Sequence, residues 1–169
     1  MNIFVVDEHP RKAAQMLCDQ HVVKMALESA QMLSTAINNN GGVGPYKSTH
    51  KHHPCTIWTG ETLGNWLWLY DHGIALCDEY LLRFQKKNAE KKDHKCRSII
   101  NECLKVLDAT SLITGLRKTP HPLCMPDEYK TDNVVESYRY FYNMEKCDFA
   151  TWKHSDPPQW WDWKQGGEV

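Results

Sequence analysis

The sequence predicts an all-α fold: a compact single-domain bundle of about four to five helices with long loops and an aromatic-rich C-terminal tail, spanning residues 1–169. Three observations carry that expectation. Apolar residues recur at spacings of three and four over residues 10–37, 55–84 and 93–108, the signature of amphipathic helix. Between and beyond these stretches, Gly, Pro and Asn gather at Asn38–Gly42, Gly44–Pro45 and Gly115–Pro126, where helices stop and loops run. A length of 169 residues with 41% hydrophobic composition corresponds to one domain that buries a substantial core.

Taken in order, a short apolar start leads to Asp7, which can cap a helix whose first turn tolerates Pro10 and which runs to about Ile37. The run Asn38-Asn39-Asn40-Gly41-Gly42 stops it, and residues 43–53 form a loop carrying Thr49-His50-Lys51-His52-His53. Pro54 sits where a helix begins. From Cys55 to Phe84 the helical period continues, with Gly60, Gly64 and Gly73 either dividing it into two helices or permitting close packing. A further helix is expected from about Asp93 to Asp108, with a basic start. Residues 114–131, with Pro120, Pro122 and Pro126, read as extended chain over the surface. Asp132 or Asn133 caps a last helix through about Lys146 with an aromatic stripe. The tail holds Phe149, Trp152, Trp160, Trp161 and Trp163 around Pro157-Pro158. It reads as an aromatic clasp on the core in preference to a stacking surface for bases.

The formal net charge of −1 does not advertise a polyanion partner, but charge is unevenly spread. Between Arg83 and Arg97, seven basic residues face Glu90 and Asp93 for a local net of +5, and from Asp127 to Asp148 the local net is −3. A basic face on a near-neutral protein can hold phosphates. The seven cysteines form no CxxC pair and read as reduced, buried thiols. No apolar run approaches the length of a membrane span, and the first residues are too soon interrupted by charge for a signal peptide. The expectation is a soluble, cytoplasmic monomer that needs no cofactor.

Chemistry concentrates on the first helix. His21, Lys24 and Glu28 stand at i, i+3 and i+7, one polar seam on a helix that is apolar around much of its remaining circumference. An unpaired buried carboxylate or ammonium is costly, so such a seam is either solvated, with Lys24 and Glu28 as an ordinary i,i+4 pair, or functional. The histidine loop, His50, His52, His53 and Cys55, could ligate zinc with His9 or His21, but its spacing matches no closed zinc motif, and no metal ligand is assigned. There is no GxSxG elbow, P-loop or GxGxxG turn.

Leu17-Cys18-Asp19-Gln20-His21 followed by Glu28 resembles the N-terminal helix of the phage pyrimidine-dimer DNA glycosylases of the endonuclease V type, in which an Asp-Gln-His tripeptide precedes a catalytic Glu by the same interval. The chain also resembles phage and large-virus proteins of unassigned function. The resemblance implies a small helical DNA-repair glycosylase with AP-lyase (endonuclease, hydrolase) activity, acting on double-stranded DNA with damaged or modified bases, in an infected host cell if the protein is viral. It implies that Glu28 assists glycosidic-bond cleavage, with Asp19, Gln20 and His21 close by on the DNA side. In that family the nucleophile is the α-amine of a small residue exposed when the initiator Met is removed. Here position 2 is Asn2, larger than the residues that usually permit removal, so the amine belongs to Met1, with a desolvated Lys24 as the rival assignment. An α-amine, with an unperturbed pKa of about 7.7–8.0, is substantially neutral near physiological pH.

Family members are basic and this chain is not, so DNA contacts would fall to Lys47, His50, His52 and His53 on one loop and to Lys91, Lys92 and Lys95 in the basic segment. Two other readings stay open: a metal-assisted nuclease or hydrolase using the His50–Cys55 loop, and a non-enzymatic viral protein that binds nucleic acid.

Overall fold

The computed structural model describes residues 1–86 and 89–162. Among them there are six α-helices and no strand: α1 (Pro10–Met16), α2 (Asp19–Asn39), α3 (Pro54–Glu61), α4 (Leu63–Arg83), α5 (Cys96–Val106) and α6 (Val134–Lys146). No helix of the described residues is long and apolar enough to cross a membrane. The all-α expectation holds, with three boundaries redrawn.

The first redrawn boundary is a break in the helix expected over 7–37. Leu17 and Cys18 are extended and split it into α1 and α2. The cause lies far along the chain. Arg83, at the end of α4, donates from Nη1 to Leu17 O at 2.7 Å and from Nη2 to Gln15 O at 2.8 Å, satisfying carbonyls that a helix end leaves orphaned. The same guanidinium pairs with Asp19 at 3.2 Å and with Glu79 at 2.9 Å. Arg83 is therefore buried, and the basic segment loses it as a surface charge.

The second boundary divides residues 55–84 at Thr62, whose hydroxyl accepts from Asn65 N–H and caps α4. Gly73, in contrast, sits mid-helix: a Cβ there would meet Ile100 at 3.0 Å and Ser29 at 3.2 Å, so it marks the close approach of α4 to α5 and α2. The third moves the start of the basic helix from about Asp93 to Cys96, where the His94 ring caps the helix by accepting from Cys96 N–H at 3.1 Å.

The central helix is α2. It packs against α3, α4 and α5, and its side chains Met25, Ala26, Met32, Leu33, Ala36 and Ile37 are all buried. Its last turns carry buried hydroxyls beside these apolar groups, because they hold the 43–53 loop. Ser34 Oγ accepts from Tyr46 N–H at 2.8 Å, Thr35 Oγ1 accepts from Thr49 N–H at 3.1 Å, and Asn38 Nδ2 donates to Tyr46 O at 3.0 Å. The loop lies so close that a Cβ at Gly44 would stand 2.4 Å from Ser34 Oγ.

Residues 149–162 wrap back over the α1–α2 junction as a clasp. Trp152 Nε1 donates to Met16 O at 3.3 Å, and Asp19 N–H donates to Thr151 O at 2.8 Å. Trp152 and Trp161 pack at 4.8 Å between ring centroids, while Tyr142 of α6 meets Trp160 edge-on. Trp163 and Lys87 lie outside the described residues.

Candidate functional site

The polar seam of α2 is buried at both ends and exposed in the middle. At its C-terminal end, the Glu28 residue is 8% exposed. The N-terminal segment, with Ile3, Phe4, Val5 and Val6 buried, lays the first two residues of the chain against this carboxylate. Asn2 N–H donates to Glu28 Oε2 at 3.0 Å, and the α-amine of Met1 lies 3.8 Å from the same oxygen. From solvent, Lys24 Nζ approaches Oε1 at 3.9 Å with its side chain 68% exposed. One N–H donor and two amines thus converge on a buried carboxylate, which is the compensation such a group requires.

Asn2 fixes this arrangement. Its Nδ2 donates to Cys124 O at 2.9 Å, and its Oδ1 accepts from Ile3 N–H at 2.8 Å. Tyr138 of α6 donates to Pro122 O at 2.7 Å and accepts from Cys124 N–H at 3.3 Å, so the strap around residues 122–124 is held over Asn2. Thr56 Oγ1 donates to Met1 Sδ at 3.7 Å.

Beside Asn2 the histidine loop meets the strap. His53, Cys55 and Cys124 bring one imidazole nitrogen and two sulfurs within 4.8 Å of one another. The two sulfurs are 3.5 Å apart, and Cys55 Sγ is 3.9 Å from Asn2 Oδ1. The thiol–thiol hydrogen bond pushes Cys55 up, as does burial, and holds Cys124 down at about 7 against the opposing effect of its own burial. Burial lowers His53, helped by the N-terminal ammonium and His50, while Glu28 opposes the shift. These are also the groups around it: the loop and the seam share one neighbourhood.

The N-terminal end of the seam is different. His21 is 6% exposed, stacked on Phe4 at 4.5 Å, with Nδ1 2.7 Å from Tyr142 Oη. Burial first, then Lys146 and Lys24, lower its pKa to about 3, so it is neutral at physiological pH. Asp19 is committed to Arg83 and to Lys153 N–H, which donates to its Oδ2 at 2.8 Å. Gln20 Nε2 donates to Phe149 O at 2.7 Å and its Oε1 accepts from Thr151 N–H at 3.2 Å. All three side chains, expected on the DNA side, hold the clasp and the α1–α2 junction.

The remaining expected contacts are distributed as surface groups. Lys47, His50 and His52 are exposed on the 43–53 loop, His53 is half-buried, and Lys91, Lys92 and Lys95 are exposed on the connection into α5. That connection is tied to the seam helix by His94, whose Nε2–H donates to Val23 O at 3.1 Å. Arg97 adds little free charge, being paired with Asp78 and Asp93. A cavity of about 560 Å³ lies between α1, Arg139 and Trp160 and is not lined by Glu28.

Sequence reasoning missed Asn2 as a clamp, Cys124 and Tyr138. Asn2 offered only its size. Cys124 sits in a Pro-rich connection whose path no periodicity reveals, and Tyr138 reads as one more residue of an apolar stripe.

A fixed carboxylate next to an amine can stabilise positive charge that develops at a carbon while a nitrogen attacks it. Comparisons with curated proteins and with solved structures return no match. A family model described as pyrimidine dimer DNA glycosylase matches residues 1–93, just over half of the 169, taking in α1 to α4, Glu28 and the histidine loop. On that match, the chain belongs to the pyrimidine dimer DNA glycosylase family.

Proposed function

We propose that this protein is a DNA-repair N-glycosylase with AP-lyase activity on damaged or modified bases, in which the α-amine of Met1 and the Glu28 carboxylate are the working pair. The family supplies the coarser part, a glycosylase acting on DNA. The single observation that carries the finer part is the convergence of Met1 N and Asn2 N–H on one oxygen of a buried carboxylate, at 3.8 and 3.0 Å. The Asn2 nitrogen occupies the nearer place, so a chain shortened by one residue would present its amine there.

In this reading the neutral amine attacks C1′ of an extruded nucleotide, and the C1′–N bond breaks with its electron pair leaving on the base, which takes up a proton. Glu28, already desolvated and fixed, stabilises the cationic character that develops at C1′. The amine sheds a proton, the C1′–O4′ bond breaks with its electron pair leaving on O4′, which takes up that proton, and the opened sugar is left as a protonated Schiff base. Loss of a C2′ proton then expels the 3′-phosphate by β-elimination. Lys24 suits the amine role less well, since its side chain is 68% exposed and lacks the desolvation that role requires. It serves instead as an ion-pair partner facing the phosphates. Lys47, His50, His52, Lys91, Lys92 and Lys95 supply backbone contacts, which makes affinity steeply salt-dependent.

Borohydride trapping on ultraviolet-damaged, abasic and hypermodified DNA, followed by peptide mapping, tests the proposal. The expected adduct is on the N-terminal peptide, with intact mass showing whether Met1 or Asn2 begins the mature chain. An adduct on the Lys24 peptide would reassign the amine, and no adduct on any of the substrates would remove the lyase step.

A further inference from the structure

We infer that His53, Cys55 and Cys124 form a zinc site that staples the start of α3 to the 122–124 strap beside Asn2. The inference is independent of which amine reacts. It goes beyond the loop-only donor set that the sequence offers, because the third donor comes from a segment 69 residues further along.

The donor chemistry is specific. Two thiol sulfurs and one imidazole are the soft-to-borderline set that zinc selects, and no hard carboxylate belongs to the trio. Two thiolates bound to one tetrahedral zinc at about 2.3 Å stand about 3.8 Å apart. Here the sulfurs are already at 3.5 Å, so neither backbone has to move. The imidazole nitrogen belongs within about 3.6 Å of each sulfur in such a site, so a side-chain swing of about 1 Å completes the trio from its 4.8 Å spread.

The donor atom on His53 follows from its hydrogen bond. Nδ1 accepts from Cys55 N–H at 3.1 Å, so in the neutral ring Nδ1 carries the lone pair and Nε2 the proton. Zinc takes that lone pair in exchange for the cap hydrogen bond.

The surroundings are those of a supported site. Asn2 Nδ2 holds Cys124 O at 2.9 Å, Tyr138 Oη accepts from Cys124 N–H at 3.3 Å, and Cys55 is fully buried at the first turn of α3. Three protein donors leave one tetrahedral position. The consequence is positional: metal at this point locks both segments that flank Asn2, and with them the N-terminal segment that presents its nitrogens to Glu28.

The test uses the full-length protein purified under reducing conditions without chelator. Metal analysis is expected to find one zinc per chain, and Co²⁺ added to the metal-stripped protein to give the strong near-ultraviolet thiolate-to-cobalt absorption of a tetrahedral sulfur site. Cys124→Ser, whose residue is only half-buried, is expected to lower zinc affinity by at least about tenfold with helical content retained. Cys147→Ser, at an exposed thiol, is expected to bind zinc as the parent does. His53→Asn provides a second reading if Cys124→Ser does not fold. Absence of both zinc and the cobalt–thiolate band, parental zinc affinity in the folded Cys124→Ser or His53→Asn chains, or a 55–124 disulfide in the freshly isolated protein would each overturn the inference.

Discussion

The two ends of the α2 seam have the same ingredients and opposite fates. At one end, His21 and Asp19 are buried among groups that saturate them: Tyr142, Arg83, the Thr151–Lys153 backbone and the Phe4 ring. At the other, Glu28 is equally buried, but beside the Asn2 N–H its partners are amines, one at the chain start and one reaching in from solvent. A polar group closed in by hydrogen bonds that never need to break is architecture. A carboxylate beside a nitrogen with its own nucleophilic chemistry is what the proposed reaction would use. The difference is one of partners, since burial is alike.

Each end can be broken separately. The largest effect is expected at the architectural end: Arg83→Ala takes the guanidinium from the Asp19 carboxylate and from the Gln15 and Leu17 carbonyls, and should cost about 3–5 kcal/mol in chemical denaturation. At the other end, Glu28→Gln should lower single-turnover base excision by about 10²–10³-fold, the size of a lost electrostatic stabiliser, while the thermal midpoint shifts little.

Acid provides a third, smaller contrast. Burial holds the His21 pKa near 3, against about 6.5 in the unfolded chain, so its neutral form favours the fold fully above pH 6.5 and this contribution shrinks as pH falls toward 3. Between pH 6.5 and 5 that amounts to about 2 kcal/mol, and His21→Phe should flatten the stability–pH curve by that much. Tyr142→Phe removes the hydroxyl that accepts from Cys18 N–H and meets His21 Nδ1, for about 1–2 kcal/mol of stability. The smallest change is expected from Lys24→Ala: an exposed ion pair contributes on the order of 0.5 kcal/mol, so stability should barely move.

The pattern of what was readable follows from this. Helix faces, the stop at Asn38–Gly42, the Pro54 start and the docked tryptophans are set by local chemistry and show in the residues themselves. Glu28 stood out because a carboxylate on an otherwise buried helix is a local anomaly. The break at Leu17–Cys18 did not, because the guanidinium that creates it comes from Arg83, and the same residue looked like part of a basic face. Asp19, Gln20 and His21 carried the family resemblance, yet part of what holds each in this fold, the 149–153 tail for Asp19 and Gln20 and Tyr142 of α6 for His21, lies outside the matched residues 1–93. Cys124 was invisible for the same reason: its partners His53, Cys55 and Asn2 are met only once the strap has folded across the N-terminus.

The most direct test of the division between the two ends is the yield of borohydride-trapped adduct on abasic-site DNA, measured per folded molecule for the parent chain, Glu28→Gln and Tyr142→Phe. If the chemistry resides with Glu28 and the α-amine, Glu28→Gln loses the adduct while remaining folded, and Tyr142→Phe keeps it despite lower stability. Parental adduct yield in Glu28→Gln, or loss of the adduct in folded Tyr142→Phe, would contradict that division.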